Sequence, residues 1–115
     1  MLYMNIHEMR LASAPFESII LGKKTIESRL YDEKRQKVGI SDNIIFINRD
    51  DVSQRISAKV VGLLRYETFS DLFTHNDIAK FGGESIKQLE KQINQFYSLD
   101  DQRRNGVLGI EFELT

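Results

Sequence analysis

The chain of 115 residues contains no cysteine. Disulfides, thiolate metal sites and cysteine nucleophiles are therefore excluded, and the composition fits a reducing, cytoplasmic setting. Histidine is scarce: His7 and His75 stand far apart, and no His, Asp or Glu group has metal-ligand spacing. The chain also lacks a P-loop, a dinucleotide fingerprint and a serine elbow, and Gly82-Gly83 is too short to serve as a phosphate loop. Neither a metal nor a cofactor is expected. Long apolar runs are missing, and Met1 to Glu8 carries no basic leader, so no signal peptide or membrane span is expected. No linker, repeat or low-complexity tract interrupts the chain. Neither sign of charge dominates. Sixteen Lys and Arg against 17 Asp and Glu give a net charge of −1, which excludes a globally basic nucleic-acid binder.

What is present is an ordinary mixture, 41% hydrophobic and 29% charged, as in soluble globular domains. Residues 1–115 are expected to form a single domain with one core. Leu2 to Met9 alternates loosely and reads as a first strand. A helix follows, capped by Ser13 or Ala14, with Pro15 in its first turn and Phe16, Ile19 and Ile20 as its apolar stripe. Gly22 is placed to end that helix in a left-handed conformation. Asn43 to Asn48 reads as a strand buried on both faces. Asn48-Arg49-Asp50-Asp51 is a turn, and Arg55 to Glu67 a longer strand with a bulge or bend near Gly62. Thr68 with Asp71 caps a short helix, and Gly82-Gly83 breaks the chain. Ile86, Leu89, Ile93 and Phe96 predict a helix over Glu84 to Tyr97, and Ser98 with Asp101 caps another. Val107 to Leu114 alternates, with Leu108, Ile110, Phe112 and Leu114 inward. Short strands with helices inserted between them favour a mixed α+β fold, a small, partly closed β-barrel, over a doubly wound parallel sheet.

The segment after Gly22 is the most informative. Gly22-Lys23-Lys24-Thr25-Ile26-Glu27-Ser28-Arg29-Leu30 runs from a helix stop into a strand. Alternation would put Thr25, Glu27, Arg29 and Tyr31 on one face, so an acid, a base, a hydroxyl and a phenol stand in a row. From Gly22 to Lys37 six basic residues face three acidic ones, leaving this segment at +3 and the rest of the chain at −4. A solvated basic loop is the simpler account of that charge, and an anion-binding surface the alternative. Lys24 beside the helix C-terminus complements the dipole or reaches into a cleft to bind a phosphate or carbonyl oxygen. Glu27 and Arg29 form either a surface ion pair, where about 0–1 kcal/mol is at stake, or a site pair. In the site reading Arg29 orients Glu27, and Glu27 accepts from an amide or amino N–H. Tyr31, Tyr66 and Tyr97 could stack on a base, Tyr97 foremost because it ends the long helix. Phe46, Phe73, Phe96 and Phe112 are expected in the core.

The spacing Gly22-x-Lys24-x-x-Glu27-x-Arg29 resembles the signature of the ASCH domain, a branch of the PUA-like superfamily. The resemblance continues in family order through Asp32-Glu33-Lys34-Arg35, Ile44-Ile45-Phe46, Thr68 to Phe73, Tyr97-Ser98 to Asp101-Gln102, and Gly106 to Ile110. It implies a PUA-like barrel with inserted and flanking helices and a cleft between barrel and helices. The cleft would be lined by the signature and would take RNA, a nucleoside or a nucleotide, with Lys24, Glu27, Arg29, Tyr31 and Tyr97 as ligand-binding residues. Two other activities follow from the same resemblance. One is a small amidohydrolase acting on an acylated nucleoside such as N4-acetylcytidine, with Lys24 and Glu27 catalytic. The other is a protein-interaction, coactivator-like module. Two departures stand out. The family usually carries Gly-Asp before the apolar strand, where this chain has Ser41-Asp42. The hydrolytic branch uses a Lys, a Thr and a Glu; Lys24 matches the first, Glu27 replaces the Thr, and the Glu would fall near Gly82 to Glu84.

Overall fold

Five strand-forming segments build one curled sheet. A computed structural model describes residues 5–115 of the chain. Its elements are β1 (Ile6–Leu11), α1 (Ser13–Ile20), β2 (Ile26–Leu30), β3 (Asn43–Asn48), β4 (Arg55–Tyr66), α2 (Phe69–Thr74), α3 (Ile86–Ile93), α4 (Leu99–Asn105) and β5 (Val107–Leu114). The strand order is β1-β3-β4-β5-β2. β1 runs parallel to β3, and the other pairings are antiparallel. The sheet curls until its outermost strands approach each other: Arg29 on β2 donates from Nη2 to the carbonyl of Arg10 on β1 at 3.1 Å. This is a half-closed barrel, sutured across its gap by a side chain rather than by a strand ladder.

The curl divides the core in two. Inside the barrel, Met9, Leu11, Phe16, Ile19, Ile44, Phe46, Val60, Leu108, Ile110 and Phe112 pack together, with Phe46 and Phe112 rings 4.8 Å apart. On the other side, α2 and α3 cover Ile26, Leu30 and Val107 with Phe69, Leu72, Phe73 and Leu89. β5 is therefore covered on both faces, whereas β2 buries Ile26 and Leu30 on one face and turns Glu27 and Arg29 to the other. A register shift between Val60 and Gly62 marks the bulge in β4, which adds the bend that closure requires.

Several local expectations change. Among the described residues β1 runs Ile6–Leu11, ending beyond the Met9 that its alternation suggests; Leu2 to Met4 lie outside the described residues. α1 is not capped by its own residues. Asp50, from the β3–β4 turn, accepts from the backbone N–H and the hydroxyl of Ser13 at 3.2 and 2.8 Å. Ile20 and Leu114 are half-exposed, because α1 ends at the rim of the barrel and β5 outruns its neighbours' packing. The helix expected over Glu84 to Tyr97 is shorter. Ser85 caps it by accepting from the N–H of Gln88, and it stops at Ile93, whose carbonyl accepts from Phe96 and Tyr97. That turn swings Phe96 out of the core, to 63% exposure.

The Ser41-Asp42 turn survives its missing glycine. Asp42 is buried, accepts from the N–H of Gly39 and takes the Nε2 hydrogen of His7, both at 2.8 Å. Ser41 nevertheless holds φ at +73°, a conformation that costs a non-glycine residue about 1–2 kcal/mol. Ser41→Gly is expected to stabilise the protein by about 1 kcal/mol, after glycine's greater unfolded-state entropy is subtracted. Urea melts of the two proteins test this. A less stable Ser41→Gly variant would mean that the serine side chain contributes more than its backbone costs.

Candidate functional site

Lys24 is positioned by backbone before its side chain plays any part. α1 ends in a Schellman turn: Gly22, at φ +74°, donates to Ile19, and Lys23 donates to Ser18. The N–H of Lys24 also reaches the Ser18 carbonyl at 3.1 Å, and Lys24 forms an isolated antiparallel bridge with Phe81. Gly82 lets the two segments approach. A Cβ there would stand 3.1 Å from the Ser18 hydroxyl and 3.3 Å from Lys24 Cβ, at a left-handed φ of +75°.

The Lys24 ammonium then meets Glu27 Oε1 at 2.9 Å, while Arg29 Nη2 meets Oε2 at 2.8 Å and its Nε the same oxygen at 3.1 Å. The Ser28 N–H adds a fourth donor, to Oε1 at 3.2 Å. Glu27 is 4% exposed. Burial alone would raise its carboxyl pKa, but the charges and hydrogen bonds of Lys24 and Arg29 outweigh burial and hold it at about 2. Burial works against the Arg29 charge as well, and Glu27, then Tyr97, overcome it and raise the guanidinium pKa. Lys24, Glu27 and Arg29 thus form one ionised cluster, Glu27 buried and its two cations partly so, with a formal charge of +1.

The cluster opens onto a cleft of about 610 Å³. One wall is α1, through Ala14, Pro15 and Ser18. The opposite wall is α3 and the turn after it, through Gln88, Leu89, Gln92, Gln95 and Phe96. Arg10 and Arg49 also line it. They come together because β1 and β3 pair in parallel, with the Arg49 N–H donating to the Leu11 carbonyl at 2.7 Å. Glu27 is the one carboxylate among the lining residues.

Tyr31 and Tyr97 are not among the residues lining this cleft. Tyr31 packs against the barrel interior, with the Arg65 guanidinium 3.8 Å above its ring. Tyr97 stacks on Phe69 at 5.6 Å and lines a neighbouring groove of about 450 Å³ between α2, α3 and α4. Glu84 is exposed and lies off the cleft, its N–H bonded to the Gln88 side chain at 2.6 Å. The +3 segment contributes only Lys24, Glu27, Ser28 and Arg29 to the lining; Arg35 is paired with Asp32 at 2.9 Å. Sequence reasoning missed Arg10, Arg49, the glutamines of α3 and Phe96. The glutamines alone carried a signal: Gln88 and Gln92 are four apart and share one helical face. Among the described residues no three His, Asp or Glu side chains are grouped to hold a metal, and no helix is long and apolar enough to cross a membrane.

Residues 9–115 match the family model of the ASCH domain. No curated protein matches the chain. Among solved structures, the chain is similar to the hypothetical protein PH0355, with 35% identity, a TM-score of 0.84, and coverage of 96% of this chain and 99% of that one. It is similar to protein PF0455 from Pyrococcus furiosus at 30% identity and TM-score 0.74, covering 95% and 96%. The ASCH protein of Zymomonas mobilis shares the fold at 14% identity and TM-score 0.66, covering 95% of this chain and 67% of that one.

Proposed function

The chain belongs to the ASCH domain family, and from that premise we propose that its cleft binds RNA or a nucleotide. One observation carries this reading: a largely buried Lys24–Glu27–Arg29 cluster and an exposed phenylalanine, Phe96, line the same cleft. The cluster supplies positive charge and N–H donors. Phe96 supplies a face on which a base stacks, whatever its identity. Gln88 and Gln92 supply amides, which hydrogen-bond to base edges, and Arg10 and Arg49 attract phosphates from the mouth.

The geometry favours binding over hydrolysis. An amidohydrolase needs a group that accepts a proton from water near neutral pH. Glu27 already accepts from four N–H groups, and its pKa of about 2 makes it a weak base. Among the described residues no second carboxylate lines the cleft. Release of acetate from N4-acetylcytidine by the purified protein is therefore expected to stay at the level of Glu27→Gln. Measurable turnover that depends on Glu27 would reverse this preference.

Binding is tested by titrating labelled single-stranded RNA and mononucleotides at two salt concentrations. Phe96→Ala is expected to weaken binding roughly 5- to 150-fold, the range for losing one stacked base. Arg49→Ala should weaken it for all sequences and reduce the salt slope by about one. Lys34→Glu, outside the cleft, should change little. Absence of binding at low salt, or binding indifferent to both Phe96 and Arg49, would remove this reading.

A further inference from the structure

Glu27 faces the cleft but has no acceptor capacity left for a ligand. A carboxylate offers about four lone-pair sites, and Lys24 Nζ, the Ser28 N–H, Arg29 Nε and Arg29 Nη2 occupy them. The spare capacity is all on the cations. The ammonium of Lys24 has three N–H donors, and its one hydrogen-bonding partner among the described side chains is Glu27. Arg29 spends Nε on Glu27 and Nη2 on Glu27 and the Arg10 carbonyl. Nη1 carries its other two donors, and the Tyr97 hydroxyl, which also hydrogen-bonds the guanidinium, would share them with a ligand. The side chains of Lys24 and Arg29 are 13% and 14% exposed, so these donors are presented at the bottom of the cleft rather than in bulk water.

A site of this polarity rejects donors and accepts oxygens. An incoming amine or amide N–H would meet like-charged hydrogens and no free acceptor. A neutral base carbonyl would satisfy part of the set. A phosphomonoester brings three acceptor oxygens and a charge of about −1.5 to −2, which matches two adjacent cations with several unspent N–H groups. Glu27 has a distinct role in this arrangement. It holds the two cations together and lowers the local charge to +1, so that the cations remain buried and charged when no ligand is bound.

We propose that the cleft floor is a receptor for a phosphate-type oxyanion, the terminal phosphomonoester of a nucleotide or of an RNA end, bound by Lys24 and Arg29 with Glu27 as their internal counter-ion. This rests on the reading of the cleft as a nucleotide site, but it fails separately from it. Calorimetric titrations in a phosphate-free buffer compare adenosine, adenosine 5′- and 3′-monophosphate, inorganic phosphate, and a five-nucleotide RNA with and without a 5′-phosphate. Each monophosphate is expected to bind at least tenfold more tightly than adenosine, the 5′-phosphorylated RNA more tightly than its unphosphorylated form, and inorganic phosphate should compete. Lys24→Met should cut the preference for phosphate below about twofold, whereas Lys24→Arg, which keeps charge and donors, should retain most of it. Circular dichroism establishes that both variants are folded. Equal affinity for nucleoside and monophosphate overturns the oxyanion floor and leaves nucleotide binding standing. Binding of inorganic phosphate to which no nucleoside adds affinity supports the floor and overturns the nucleotide reading. No binding by any probe overturns both.

Discussion

Glu27→Gln is expected to lower the unfolding free energy by about 3 kcal/mol, the lower end of the cost of breaking a buried ion pair by removing one partner. The substitution preserves shape, so the loss is electrostatic. Lys24 and Arg29 remain largely shielded from water, and the charge that offset their desolvation is gone. The amide can accept from one of them, but its NH2 group then points donors at the other. For a domain of this size the melting temperature should fall by roughly 10–20 °C. A companion variant separates charge from packing. Replacing all three residues by apolar ones, Lys24→Met with Glu27→Leu and Arg29→Met, should recover most of the lost stability, because removing a whole buried ion cluster is often neutral. That variant should bind no oxyanion. Thermal and urea melts of both proteins are the measurement. A Glu27→Gln variant within about 0.5 kcal/mol of the native protein would mean that water enters the cleft and screens the cluster.

Acid should reproduce the same loss in the native protein. The Glu27 carboxyl pKa is 4.5 when unperturbed and about 2 in the fold, a difference equivalent to about 3 kcal/mol. Because the folded value is depressed, the contribution is fully present above the unfolded pKa. It is lost as pH falls from about 4.5 towards 2, where the unfolded chain binds the proton that the folded cluster refuses. Asp42 acts in the same direction. Burial raises its pKa, and the hydrogen bonds from His7 and Gly39 more than reverse that. Asp50, which caps α1 from the β3–β4 turn, is also lowered, through its bonds to Ser13. Urea midpoints measured at intervals from pH 7 to pH 2 should hold steady to about pH 5 and then drop. The Glu27→Gln protein should start lower and fall less, so that the two curves approach each other near pH 2. Parallel curves, or a native midpoint unchanged between pH 5 and pH 3, would show that Glu27 is not held by its cationic neighbours.

Local rules identified the punctuation of this fold. Gly22 ends α1 in a left-handed turn, Thr68 and Ser98 cap α2 and α4, and the bulge in β4 falls beside Gly62. Each of these depends on residues within a few positions of one another, so the chain carries the cause and the effect together. The failures were of another kind. The sequence marks Phe96 as the next apolar position of a helix, yet the helix stops at Ile93 and the ring faces the cleft. Nothing in helical spacing distinguishes a fourth core position from the first residue beyond a turn.

The site divides along the same line. The Gly22-x-Lys24-x-x-Glu27-x-Arg29 spacing, read as helix stop and strand, was enough to bring the three charged side chains together, because strand alternation and one turn determine their relative positions. Alternation also assigned Tyr31 to their face. That parity cannot say that the barrel interior, rather than the cleft, covers the far end of β2. Arg10 and Arg49, 39 positions apart in the chain, meet only through the parallel pairing of β1 with β3. The occupied state of Glu27 was equally out of reach. A motif names a carboxylate, but only folded coordinates count the donors around it, and that count turns a candidate base into a counter-ion. Short-range geometry was written in the order of the residues; burial, charge balance and hydrogen-bond occupancy depend on segments distant in the chain, which only the closed sheet and its helices bring into contact.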